Sequence, residues 1–225
     1  CIRDSWTGGN LVVRSSNWSY DVLPITNYTT GQLSFSSMVY NLTNFEWGYF
    51  LNNKLSELDM AGEWFQDPGS GQLYLWAPGG VNPSTLSVQV NNGIEWGVWI
   101  YPNRHHVTFT GLTFKHQRSA AFKHETANDI TIQACTFQDL NQAFYSFGSN
   151  NQYVNNLIER TYATAAMIVD QNSTFADNTL NDIAVIPGMG ESTWGYMGLR
   201  ISGAGNKVQR NRLHNIGYIG IAVEQ

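Results

Sequence analysis

Tyr153-Val154-Asn155-Asn156-Leu157-Ile158 and Phe175-Ala176-Asp177-Asn178-Thr179-Leu180 share one template: apolar, two spacers, Asn, one spacer, apolar. The same template fits Ile132-x-x-Cys135-x-Phe137 and Val208-x-x-Asn211-x-Leu213, so its Asn or Cys positions step by 21, 22 and 33 residues. A period near 22 marks a solenoid, in which no single repeat can bury its apolar face alone.

A second segment recurs in the same phase. Aligning Ala121–Glu125, Phe144–Gly148, Ala166–Asp170, Gly198–Ser202 and Gly220–Glu224 makes the second and fourth positions almost uniformly apolar. They are Phe122/His124, Tyr145/Phe147, Met167/Val169, Leu199/Ile201 and Ile221/Val223. Alternation of period two predicts half-buried strands with these side chains inward. Gly97–Tyr101 fits as an earlier copy, with Val98 and Ile100 inward, and Phe109-x-x-Leu112-x-Phe114 follows it. Short strands separated by Asn, Gly and Ser turns describe coils of a parallel β-helix. An Asn at a tight inward-pointing turn can bond both the turn backbone and the next Asn in the stack. Cys135 takes one rung as a small buried side chain.

On these residues the chain resembles the right-handed parallel β-helix proteins of the pectate-lyase-like superfamily, above all its large secreted bacterial members. Those interrupt the helix with hairpins such as Gly62-Glu63-Trp64-Phe65-Gln66-Asp67-Pro68 to Gly71-Gln72-Leu73-Tyr74-Leu75-Trp76, and Ile186-Pro187-Gly188-Met189-Gly190 also has their look. The resemblance spans roughly residues 45 to 225. It implies an all-β right-handed solenoid with an inserted β-hairpin or β-subdomain near the N-terminal end, located outside the cell or on its surface. The general rule for parallel crossovers gives the same hand. For activity the resemblance is poor, since the group holds hydrolases, lyases, epimerases and binding modules.

Domain organisation follows from where the pattern starts. Residues 1–60 read as irregular β structure, with strands at Leu11–Val13, Leu33–Phe35 and Tyr49–Leu51 forming either early coils or an inserted subdomain. Residues 61–92 hold the hairpin and its connection, and 93–225 the coils. The final Ile221-Ala222-Val223-Glu224-Gln225 stops inside a strand. That predicts further coils, or end-to-end pairing with a neighbour, because solenoids shield their terminal coil.

Composition narrows the partners. Only 13% of residues are charged, with net charge −5 and pI near 5.4, which argues against nucleic acid and anionic membrane. No apolar run approaches the roughly 20 residues that span a bilayer. Two cysteines, Cys1 and Cys135, make no disulfide framework. His105-His106 has no Cys or His at zinc spacing, so no structural zinc is expected. No Gly-rich phosphate loop or nucleophile elbow occurs.

The outward side chains of the aligned strands suggest the ligand. The fifth position gives Tyr101, Glu125, Asp170 and Glu224, the third Trp99, Lys123 and Arg200, the first Phe144. At about 4.8 Å between strands, Glu125 and Asp170 would sit roughly 9.6 Å apart. The longer fourth coil adds Glu191, Trp194 and Tyr196 in a loop beside the strip. Aromatic faces stack on sugar rings, and carboxylates bond hydroxyls or move protons, so a plant- or algal-type polysaccharide is the expected partner. Substrate-binding roles are expected for Trp99, Tyr101, Lys123, Phe144, Glu191, Trp194, Tyr196, Arg200 and Glu224.

Glu125 as acid and Asp170 as base would match the roughly 6.5–9.5 Å separation of an inverting glycosidase. Lys123, His116, His124 and Arg200 would tune them or hold an acidic sugar. The resemblance implies other signatures in its polygalacturonases (Asn-Thr-Asp, Asp-Asp, Gly-His-Gly, Arg-Ile-Lys), and none occurs. No cofactor is expected beyond calcium, for which Glu125 and Asp170, with Glu224 from a distant coil, make a thin site. Three readings stay open: a polysaccharide hydrolase or, behind it, a lyase; a non-catalytic carbohydrate-binding module; and a structural segment of a surface protein or filament.

Overall fold

The computed structural model describes residues 5–38, 40, 47–91, 93–190 and 194–224, and divides into two compact units, Cys1–Val90 and Asn91–Gln225. In the first, β1 (Asn10–Ser16), β2 (Ser19–Thr29), β3 (Gln32–Phe35) and β4 (Tyr49–Asn52) form an antiparallel sheet in the order β3-β2-β1-β4. Ser19, Asp21, Leu23 and Ile25 alternate inward along β2, and Trp6, Leu11, Val13, Leu23 and Ile25 make the core. These strands pair antiparallel, whereas the coils of a solenoid pair in parallel. A hairpin follows, β5 (Trp64–Gln66) against β6 (Leu73–Leu75).

The second unit is the solenoid. Its first coil is β7 (Trp96–Ile100), β8 (Thr108–Thr110) and β9 (Thr113–Lys115). The second is β10 (Ala120–Asn128), β11 (Thr131–Gln133) and β12 (Thr136–Leu140). Then come β13 (Phe144–Ser149), β14 (Gln152–Val154) and β15 (Leu157–Thr161), followed by β16 (Ala166–Gln171), β17 (Thr174–Ala176) and β18 (Thr179–Ile183). The fifth coil is β19 (Met197–Ser202), β20 (Lys207–Gln209) and β21 (Arg212–Ile216), and β22 (Ile219–Glu224) opens the sixth. Equivalent strands pair in parallel, giving three sheets along the axis: β7-β10-β13-β16-β19-β22, β8-β11-β14-β17-β20 and β9-β12-β15-β18-β21.

Backbone sterics explain the repeat. Every coil turns three corners five residues apart, each on a residue of positive φ: His106, Gly111 and His116; Asp129, Ala134 and Asp139; Asn150, Asn155 and Arg160; Asn172, Asp177 and Asp182; Gly205, Arg210 and Asn215. Asn and Asp tolerate that region best among residues with a Cβ, which is why they crowd the turns. In the template the second spacer is the corner, and the Asn after it points inward. Asn156, Asn178 and Asn211 then bond one another up the stack, Asn156 Oδ1 capping the Cys135 amide at 2.9 Å. A second ladder, Asn151, Ser173 and Asn206, runs at the preceding corner and was not read from the sequence. Between the sheets, Phe109, Phe114, Phe122, Phe137, Phe144, Tyr153 and Phe175 form a column of rings with centroids 4.9–6.4 Å apart. Burying each such side chain contributes about 1.5–3 kcal/mol.

One feature disturbs the register. Thr126, a β-branched residue at φ 54°, is an extra residue in β10 between Glu125 and Ala127. On β13 and β16, the two sheet strands that follow it, the facing departs from the alignment above. Phe122 pairs with Phe144, which pairs with Ala166, which pairs with Leu199. Phe144, Ser146, Ala166, Ile168 and Asp170 therefore point inward on β13 and β16, and Tyr145, Phe147, Met167 and Val169 point outward. A slip of one residue reverses every side chain of a strand.

Candidate functional site

The outward face of the six-stranded sheet carries two rows. One runs Trp99, Lys123, Tyr145, Met167, Arg200, Ala222, and the other Glu125, Phe147, Val169, Ser202, Glu224. Tyr101, just past the end of β7, lies flat on Trp99 with centroids 4.9 Å apart and planes at 11°. Both rings are open to solvent, Trp99 by 44% and Tyr101 by 59%. Lys123 Nζ sits 4.7 Å from the Trp96 ring and 4.6 Å from the Trp99 ring, and meets Glu125 Oε1 at 3.2 Å. Tyr145 continues the patch at 6.4 Å from Trp96, and Phe147 lies 5.1 Å from Tyr145. Trp96, Tyr145 and Phe147 were missed as outward aromatics.

At the other end of the first row, the Arg200 guanidinium stacks 4.2 Å over the Trp194 ring and reaches Glu224 Oε2 at 2.7 Å. Gln142, Thr164, Met167, Gly190, Trp194 and Arg200 line a hollow of about 160 Å³ there. Thr164 Oγ1 donates to the Trp194 carbonyl and accepts from the Met197 amide, which fixes the loop to the coil.

Three expected site residues are placed elsewhere. Phe144 is fully buried in the ring column, and Tyr196 is a buried strut whose hydroxyl accepts the Gly188 amide at 2.9 Å. Asp170 is fully buried and faces away from Glu125. The proposed acid–base pair thus lies on opposite faces of one sheet. Glu125 and Glu224 share an outward row but are four strands apart, about 19 Å. That exceeds the roughly 9.5 Å limit for two carboxyls sharing a water. With Asp170 inward, the calcium set also loses its centre. Glu191 lies outside the described residues.

Asp170 belongs to a polar cluster inside the coils. Its Oδ1 accepts from Ser146 Oγ at 2.5 Å, and its Oδ2 from Asn151 Nδ2 at 2.9 Å and Tyr153 Oη at 3.0 Å. Since Tyr153 donates to the carboxylate, the His124 Nε2–H donates to Tyr153 Oη at 2.9 Å, and His124 Nδ1 stays buried without a partner. Burial holds the His124 pKa below its ordinary value, with Asp170 acting weakly the other way. Burial and the nearby Asp170 push the Tyr153 hydroxyl well up.

The sign for His124 follows from linkage. The unfolded chain binds its proton near pH 6.5 and the folded chain only lower, so stability is complete above about 6.5 and declines as pH falls through that window. Asp139, held low by its bonds from Arg160, loses its contribution only below about pH 4. The unfolding midpoint should therefore begin to fall near pH 6.5, and His124→Gln should remove that first decline in a melting series. A wild-type midpoint constant down to about pH 4.5 would contradict the buried placement of His124.

No curated protein and no solved structure matches the chain. A family model described as "Right handed beta helix region" matches residues 96–225, more than half of the chain, beginning at the first residue of β7. The chain therefore belongs to the right-handed β-helix family, and its solenoid is an all-β right-handed parallel helix of about six turns.

Proposed function

We propose that the outward face of the six-stranded sheet binds a polysaccharide of plant or algal type outside the cell, and that this chain acts as a binding module. The right-handed β-helix fold supports a carbohydrate-active or structural protein. What favours the first is the flat Trp99–Tyr101 platform, exposed and backed by Trp96, Tyr145 and Lys123. Such rings offer apolar faces to sugar rings at little entropic cost. Kinship with the pectate-lyase-like superfamily is part of the same reading. Binding stands ahead of hydrolysis because, among the described residues of the sheet's outward rows, no second carboxylate lies within reach of Glu125.

Affinity electrophoresis against a polysaccharide panel tests this. Trp99→Ala and Tyr101→Ala should each weaken retention about tenfold, close to 1.4 kcal/mol. Their melting points should stay within about 3 °C of the parent, as for exposed substitutions. Retention unchanged in both variants would refute the platform, and release of reducing sugars or unsaturated products would refute a purely binding role.

A further inference from the structure

The charges on this face point to the class of glycan. In the six strands of the sheet the acidic and basic residues are Lys123, Glu125, Asp170, Arg200 and Glu224. Asp170 is inward. The remaining four form two closed pairs, Lys123 Nζ to Glu125 Oε1 at 3.2 Å and Arg200 Nη2 to Glu224 Oε2 at 2.7 Å, with Arg200 Nε on the same oxygen at 2.9 Å. Arg118, just before β10, is likewise 3.5 Å from Glu95. The two cations of the sheet are also covered by rings, Lys123 by Trp96 and Trp99, Arg200 by Trp194.

We infer that this face selects uncharged glycans and rejects polyuronates. The inference rests on the glycan-binding reading above and adds the substrate class. A carboxylate-bearing sugar needs a cation with free donors, or a local excess of positive charge. Here each cation already faces a carboxylate, and an incoming uronate would meet Glu125 or Glu224 as a like charge within the same few ångströms. The chain as a whole adds repulsion, with net charge −5. Neutral hydroxyls, by contrast, can donate to the half-exposed Glu125 carboxylate while the rings stack, so the ion pairs need not open.

The test is affinity electrophoresis and calorimetry of the whole chain with two sets of probes. Galactomannan, arabinoxylan and mixed-linkage β-glucan are neutral; polygalacturonate and alginate are polyuronates. Retention by at least one neutral probe is expected, at least tenfold stronger than by either polyuronate and insensitive to salt between about 20 and 500 mM. The double variant Glu125→Gln, Glu224→Gln, checked for folding by its melting curve, should gain polyuronate retention that salt abolishes. Polyuronate retention by the parent equal to or above the neutral one, or retention that collapses with salt, would overturn the charge argument while leaving glycan binding intact. Should the double variant melt early, the parent's salt dependence still decides. Retention by neither set would overturn the binding function itself.

Discussion

Replacing Asp170 by alanine is expected to lower the unfolding free energy by about 3 kcal/mol, with no direct loss of any surface contact. The residue is fully buried, and three donors converge on it: Ser146 Oγ, Asn151 Nδ2 and Tyr153 Oη. A buried donor left without an acceptor costs about 1–3 kcal/mol, so three orphans set an upper bound well above the expected value. Two effects reduce it. The Ser146 and Tyr153 hydroxyls are 2.5 Å apart and can bond each other, and Asn151 Nδ2 keeps the Ala127 carbonyl at 3.2 Å. Removing a buried carboxylate that has no ion-pair partner also relieves its desolvation. Urea denaturation at pH 7 measures the result. An outward catalytic base would give the opposite pattern, an unchanged midpoint with lost turnover, and that outcome would refute the inward register of β16.

Asp170 also shows where the sequence could be read and where it could not. The solenoid was legible because the constraint on it is steric and periodic: once in each of the second to fifth coils a positive-φ corner is followed by an inward Asn or Cys between two apolar residues. The facing of β10, β19 and β22 was legible too, since Phe122, Leu199 and Ile221 alternate with charged or small residues, and β7 was read by alignment with them. On β13 and β16 both faces are largely apolar, Tyr145 and Phe147 against Phe144, Met167 and Val169 against Ala166 and Ile168. Hydrophobicity then cannot choose, and the polar Ser146 and Asp170 tipped the choice outward. They are inside because they satisfy one another and His124. Spacing held the missing signal. Phe144, Ala166 and Leu199 each stand nine residues before the template's first apolar residue, and only β10, with its extra Thr126, stands ten before.

The same slip decided which of the expected residues share the outward face. Trp99, Lys123, Glu125, Arg200 and Glu224 lie on strands read in the right register, and the structure brings them to one face, with Tyr101 stacked on Trp99. Phe144 and Asp170 lie on the misread strands, and Tyr145, their neighbour in the true row, was lost with them. Tyr196 failed for another reason. Loop residues have no period, and nothing in the sequence distinguishes an exposed Trp194 from a buried Tyr196 two positions later.

Asn178→Ala should be as damaging as the Asp170 change, about 3 kcal/mol, by a different route. Its side chain makes four bonds while buried: Oδ1 accepts from the Asn156 amide at 2.9 Å and from Asn156 Nδ2 at 3.1 Å, and Nδ2 donates to the Tyr153 carbonyl at 2.8 Å and Asn211 Oδ1 at 3.1 Å. After truncation Asn156 Nδ2 still holds the Ile132 carbonyl, and Asn211 Oδ1 still accepts from the Asn178 backbone. The Asn156 amide keeps nothing, and this buried orphan at about 1–3 kcal/mol, with the net loss of the other side-chain bonds at about 0.5–1.5 kcal/mol each, gives the estimate. Asn211→Ala, at a half-buried rung that water reaches, should cost about half as much. Because each coil touches only its neighbours, the loss should also be local: amide exchange should quicken first in β14, β17 and the corner between β17 and β18. Coils kept at about 4.8 Å are what align Trp99, Lys123, Tyr145, Met167 and Arg200 into one row. Glycan retention by Asn178→Ala should therefore weaken at temperatures still below its melting point, whereas a variant that melts and binds like the parent would show the ladder to be incidental.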